Sequence, residues 1–322
     1  MTVRVAPISP GFGAEISGVD ISQPLGDADS QAILKAIDDY AVLVFRNTGL
    51  DDVSHVEFSR IFGHVETMPS FKKLFDSARS AKDGKTAREA GPHFVTFGNV
   101  TDEGRIVDDP ERRKLLAGDR MWHTDSSFMA ERAAYSALLA YAVPPIGGDT
   151  GFADMRGAWD RLSPAMMARI EGLEADHCVW WSRHVSGADI SEEQAMGMPA
   201  ARHPLVHRHK SGRTALFLAS HIRAIPGMEP AEGRALVAEL IEHATGPELT
   251  ISVNWNVGDL VVWDNLATMH RATEFEDLRH RREMRRTTMR NGPPPATADA
   301  PYGAMYSGSL ERLGQLRGQP AS

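Results

Sequence analysis

The chain has 322 residues, 42% of them apolar and 24% charged, with a formal net charge of −8 and a pI near 5.9. That length admits one large domain or two ordinary ones, and the composition is that of a globular protein. No apolar run reaches the ~18 residues a membrane helix needs, and the acidic balance argues against charge-driven nucleic-acid binding. Cys178 is the only cysteine. An intramolecular disulfide and a cysteine-built metal cluster are therefore excluded, which fits a reducing cytoplasm, and the first residues carry no basic-then-apolar secretory pattern.

In chain order, Pro10-Gly11 and Gly18 mark turns in a short N-terminal strand or loop. Residues 30–40 read as a helix with Ile33, Leu34 and Ile37 on one stripe. Residues 41–45 (AVLVF) read as a buried strand. Residues 51–62 read as a second helix capped by Asp51 or Asp52. Residues 66–118 are rich in charge, with one apolar patch near Phe94–Phe97, and read as a lid or insertion. Beyond Met121 strands dominate: 135–142, 150–155, 176–181, a hairpin of 205–209 with 214–218, then 249–255, 260–263 and 282–288. Helices are expected at 156–173 and 229–244. This pattern predicts a mainly β jelly roll carrying helices, as one domain over residues 1–291, with a Pro/Ala-rich mobile tail over 292–322.

His123 and Asp125 are two residues apart, so on a strand or strand end they point to the same side. One metal can be held by both, with a third ligand from His270, just after the 260–263 strand. Two histidines and a carboxylate on one face of an octahedral ion leave three positions open, the arrangement of non-haem iron oxygenases. Taken singly, each of these residues reads as an ordinary hydrogen-bonded structural side chain. His203, His207 and His209 read as surface-strand residues rather than a second metal site. Arg282 and Arg286 share one face of the last strand, with Cα atoms ~13 Å apart, and are suited to gripping two different anions. A solvated basic edge is the plain alternative. Thr150 follows the Gly147-Gly148-Asp149 turn, where its hydroxyl can meet an anion.

Eight motifs carry a resemblance to the taurine/2,4-dichlorophenoxyacetate dioxygenase family. They are GAEISGVD (13–20), VLVFR (42–46), FSRIFG (58–63), WHTDSSF (122–128), PPIGGDTGFADM (144–155), NVGDLVVWDN (256–265), MHRA (269–272) and RREMRRTT (281–288). The resemblance spans nearly the whole chain. It implies a double-stranded β-helix, Fe(II) as cofactor on His123, Asp125 and His270, and 2-oxoglutarate as cosubstrate on Thr150 and Arg282. It also implies that Arg286 meets an acidic group of the substrate, and that a dimer or tetramer forms. In such enzymes the oxidative decarboxylation of 2-oxoglutarate by O2 drives hydroxylation of a substrate C–H bond.

The stretch ASHIRAIPGM (219–228) resembles the phenoxyalkanoate branch. Met68 occupies the position where the taurine branch has a sulfonate-contacting histidine. Asp119 stands where both branches tend to have asparagine, and its carboxylate would repel an anion unless an arginine pairs with it. The expected reaction is hydroxylation of a small organic acid, with cleavage of an aryloxyalkanoate ether. The rivals are a sulfonate, sulfate ester or amino-acid-like substrate, and a zinc-dependent hydrolase built on the same triad.

Overall fold

The computed structural model describes residues 2–67, 93–101 and 104–292. Its larger sheet runs Arg4–Ser9, Phe12–Ser17, Val42–Phe45, Leu260–Asp264, Tyr135–Ala142, Glu283–Arg290 and His64–Val65, with Val95–Gly98 also paired to Glu283–Arg290. A smaller sheet orders Thr250–Val253, Thr150–Asp154 and Thr268–Ala272. The two face each other as a jelly roll.

Strand alternation decides which side chain serves which layer. Val42, Val44, Val261, Trp263, Leu138 and Ala140 point between the sheets, against Phe152, Val253 and Trp255 of the smaller one. Their neighbours Leu43, Phe45, Leu260, Val262, Ala137 and Leu139 point the other way, into a second core under the helices. A strand buried on both faces reads as an unbroken apolar run, as VLVF does, and each fully buried aliphatic contributes roughly 1.5–3 kcal/mol.

Phe12–Ser17 and Val42–Phe45 pair in parallel, which demands a crossover, supplied by the helix Asp27–Tyr40. Ile33, Ala36 and Ile37 bury its inner stripe. Its C-terminal carbonyls at Asp38 and Asp39 accept from the buried Arg156 guanidinium at 2.7 and 3.3 Å. Asp51 caps the next helix, Asp52–Ser59, in a reciprocal capping box with Ser54.

Some expectations fail for local reasons. The single helix expected over 156–173 is two, Met155–Asp160 and Pro164–Ile170, because Ser163 caps and Pro164 starts a new one. Residues 176–181 are not one strand: Glu174–His177 ends, and Val179–Val185 is helical despite its β-branched and aromatic start. His203 and His209 are buried rather than on the surface. His209 bonds the Asp264 carboxylate at 2.9 Å and His203 bonds the Met129 carbonyl at 2.8 Å, so both satisfy core polar groups. Within 66–118, Val95–Gly98 belongs to the large sheet, and Pro110–Ala117 is a helix at the mouth of the central cavity. No helix among the described residues is long and apolar enough to cross a membrane.

Candidate metal centre and anion pocket

The sheet edge builds the centre. His123 and His270 form an antiparallel bridge: each amide donates to the other's carbonyl, at 3.0 and 2.8 Å. Their rings lie 4.3 Å apart, centroid to centroid. The extended chain ends at this bridge, so Asp125 stands just past a strand end. The chain turns, with Ser126 at φ 54, and Asp125 leads that turn. Its Oδ1 lies 4.0 Å from His123 Nε2 and 3.7 Å from His270 Nε2. One ligand atom from each of the three falls within 4.8 Å of the others, the single such cluster found among the described residues.

Protonation suits a cation. His123 Nδ1 lies 2.8 Å from the Met121 carbonyl. Its proton therefore sits there, and the Nε2 lone pair faces the cluster. Burial, reinforced by His123, pushes His270 down to about 3, so it stays neutral. Burial alone would raise Asp125, but Arg286 and the two histidines overcome it and hold the carboxyl below its ordinary value. Two imidazole nitrogens and one carboxylate oxygen, converging by geometry, fit a divalent metal.

Beside the triad lies the cavity wall of Thr150, Leu138, Trp263, Arg282 and Arg286. Arg282 Nε donates to the Gly148 carbonyl at 2.9 Å, and its Nη2 reaches Thr150 Oγ1 at 3.4 Å. Trp255 Nε1 donates to the same hydroxyl at 3.1 Å. Gly148 has φ +71, and a Cβ there would come within 2.6 Å of Pro144, so the turn that presents this carbonyl needs glycine. Gly98 is as constrained: a Cβ would strike the Arg282 carbonyl at 1.9 Å. Burial lowers Arg282 to about 10, only partly offset by Asp119 and Asp149. A buried guanidinium without a carboxylate partner is costly, and a bound anion relieves it.

Arg286 also lines the cavity, but it donates to Asp125 Oδ1 and stacks its guanidinium 4.5 Å over Phe97. Asp119 sits on the wall and is paired: Arg183 donates to it at 2.8 Å. Met68 lies outside the described residues. The sequence pattern did not single out the mouth, where Asp277 accepts from both Arg113 and Arg120 at 2.8 Å. Nor did it find Arg183; nothing but a fold brings residue 183 to residue 119. His221 is buried against His123, with centroids 5.6 Å apart, and bonds Ser127 at 2.9 Å.

This geometry is that of a metal-dependent oxygenase on a jelly roll, and comparison with known proteins gives the family. The taurine catabolism dioxygenase TauD, TfdA family matches residues 4–288, and the chain belongs to it. It is 38% identical over 292 residues to the alpha-ketoglutarate-dependent 2,4-dichlorophenoxyacetate dioxygenase of Cupriavidus pinatubonensis, covering 89% of this chain and 98% of that one. It is 33% identical to the (S)-phenoxypropionate/alpha-ketoglutarate-dioxygenase of Sphingobium herbicidovorans, over 91% of this chain and 97% of that one. Among solved structures, AAD-2 in complex with Mn(II) and N-oxalylglycine superposes with a TM-score of 0.78 at 32% identity, covering 92% of this chain and all of that one. The chain is therefore a 2-oxoglutarate-dependent dioxygenase, in a family dependent on Fe(II), on the phenoxyalkanoate side of that family. The zinc hydrolase alternative falls.

Proposed function

We propose that the protein hydroxylates an aryloxyalkanoic acid or a close relative at the carbon bearing the ether oxygen, so that the product collapses and the ether bond breaks. His123, Asp125 and His270 hold Fe(II). Bound there, the iron supplies O2 activation at the expense of 2-oxoglutarate, which leaves as succinate and CO2. Thr150 and Arg282 grip the distal carboxylate of 2-oxoglutarate. N-oxalylglycine, named with the AAD-2 structure, has the same skeleton with NH in place of a CH2.

The observation that carries an acidic substrate is the charge balance of the cavity. Four arginines (113, 120, 282 and 286) and two aspartates (119 and 277) line it among the described residues. Asp119 is neutralised by Arg183 and Arg286 by Asp125. Asp277 serves Arg113 and Arg120 together. Two positive charges are left over. Arg282 takes 2-oxoglutarate, and the surplus at the Arg113–Arg120 mouth favours a second anion, the substrate. Arg286, on the cavity wall, meets that acid group in this reading. Asp119, silenced by its arginine, completes the substrate wall in this reading, and Met68, the other proposed substrate contact, lies outside the described residues. Residues 1–291 act as one catalytic domain. The enzyme works in the cytoplasm as a dimer or tetramer, without nucleic acid or membrane.

Succinate release from 2-oxoglutarate, measured over a panel of aryloxyacetates, aryloxypropionates, sulfonates, sulfate esters, amino acids and neutral aryl ethers, tests the substrate. Aryloxyalkanoates should give the highest kcat/KM. Faster turnover of neutral ethers or amines would refute the acid reading, and faster turnover of a sulfonate or sulfate ester would move the enzyme to that class.

A further inference from the structure

Asp125 has two carboxylate oxygens, and the histidine Nε2 atoms and Arg286 converge on one of them, Oδ1. The other, Oδ2, accepts from Ser136 Oγ at 2.7 Å. Ser136 Oγ accepts in turn from Asn265 Nδ2 at 2.9 Å, and Asn265 Oδ1 accepts from the Trp263 indole N–H at 2.9 Å. All three side chains are buried. Sheet register assembles the chain of bonds: Trp263 and Ser136 are direct cross-strand partners, and the Asn265 amide donates to the Ala134 carbonyl just past them.

The direction of every bond follows from chemistry. An indole N–H only donates, so the Asn265 amide must turn its oxygen to Trp263 and its NH2 to Ser136. Ser136 has then accepted one bond and has a single proton left to give, which goes to Asp125 Oδ2. Trp263 also packs its ring 4.8 Å from that of His270. One residue of the Leu260–Asp264 strand thus braces two of the three ligands.

We propose that Ser136 and Asn265 are positioning residues that reserve Oδ2 and limit Asp125 to one-oxygen ligation. The inference rests on the metal-centre reading above. An octahedral ion held by two histidines and one carboxylate oxygen has three positions left, two for a chelating 2-oxo acid and one for O2. A carboxylate free to give both oxygens would take one of the three. The relay keeps that position open, and does so before any metal arrives.

The test uses Mn(II) and N-oxalylglycine as probes on the full chain, with calorimetry for the two binding steps and water-proton relaxation by the bound Mn(II), rather than turnover, as the readout of the remaining position. Ser136→Ala should still bind Mn(II) and N-oxalylglycine, but their complex should lose most of the water-proton relaxation enhancement that an exchangeable Mn-bound water gives in the unaltered protein, because the second Asp125 oxygen fills that remaining position. Asn265→Ala leaves the Ser136 hydroxyl in place and should show a smaller loss of the same kind. The double variant should lose no more of the enhancement than Ser136→Ala does, because the two act through one chain. Thermal midpoints without metal should fall, because Asp125 Oδ2 and Asn265 Nδ2 lose a buried partner, while a single cooperative transition shows that each variant still folds. Unchanged relaxation enhancement in the Ser136→Ala complex would overturn the proposal. So would additive losses in the double variant, or outright loss of Mn(II), which would make Ser136 a support for the ligand rather than a guard on its second oxygen. Failure of the unaltered protein to bind N-oxalylglycine in a Mn(II)-dependent way would instead overturn the metal-centre reading.

Discussion

The Asp119 carboxylate accepts a 2.8 Å hydrogen bond from the Arg183 guanidinium, and neither side chain is more than a quarter exposed. A carboxylate on the wall of a pocket built for anions would otherwise repel them. Arg183→Ala should therefore raise KM for an acidic substrate by roughly tenfold, the equivalent of ~1.4 kcal/mol. Asp119→Asn combined with Arg183→Ala should recover most of that loss, because nothing remains to be neutralised. Steady-state succinate release with the preferred acid decides it; equal KM values in the single and double variants would dismiss the pairing argument.

Arg282 pulls stability and function in opposite directions. Its guanidinium is buried and lowered to about 10 by burial, with a carbonyl and a hydroxyl as partners. Arg282→Met should leave the thermal midpoint of the ligand-free protein unchanged or raised, and should weaken 2-oxoglutarate binding by about 2–5 kcal/mol. Added 2-oxoglutarate should then stabilise the unaltered protein against heat and leave the variant unmoved. A variant still stabilised by the cosubstrate would place the distal carboxylate elsewhere.

Removing Asp125 does more than remove a ligand. Arg286, buried and paired with it, would be left with an uncompensated charge. Asp125→Ala should lose metal binding and about 3 kcal/mol of stability, and Arg286→Met in the same chain should restore much of the stability without restoring the metal. Urea midpoints of the two variants in chelator provide the comparison; no recovery in the double variant would mean the pair carries little energy.

Acid should unfold the protein through buried histidines outside the ligand set. His55 is lowered to about 4 and His177 well below 6.5, both chiefly by burial. The unfolded chain takes up these protons near pH 6.5 while the folded chain does not. Stability is thus full above pH 6.5 and is lost as pH falls from there toward 4, by ~1.4 kcal/mol per pH unit for each such histidine. His55→Gln should flatten the fall in the urea midpoint between pH 6.5 and 5. An unchanged slope would assign the acid sensitivity to other groups.

Much of this was readable in the chain because the physics involved is local. Two-residue spacing in His123-Thr124-Asp125, alternation in VLVF and LVVW, and the Asp51–Ser54 cap each depend on neighbours in sequence. What stayed hidden depends on partners far away. His209 looks like a hairpin residue until Asp264 arrives beside it. Asp119 looks repulsive until the Val179–Val185 helix delivers Arg183, and that helix was itself masked by the strand-forming residues at its start. The NVGDLVVWDN motif flagged residues 256–265, but only the cross-strand register turns Trp263, Asn265 and Ser136 into a directed relay.

The paired amides of His123 and His270 have a further consequence. Both histidines are rungs of one ladder, so their separation is set by main-chain geometry and persists whether or not a cation is present. Asp125, by contrast, leads a turn whose next residue holds a strained left-handed conformation. The centre thus has two prongs fixed by the main chain and a third fixed by side chains, because Asp125 is held by Arg286 and Ser136 rather than by a ladder of its own.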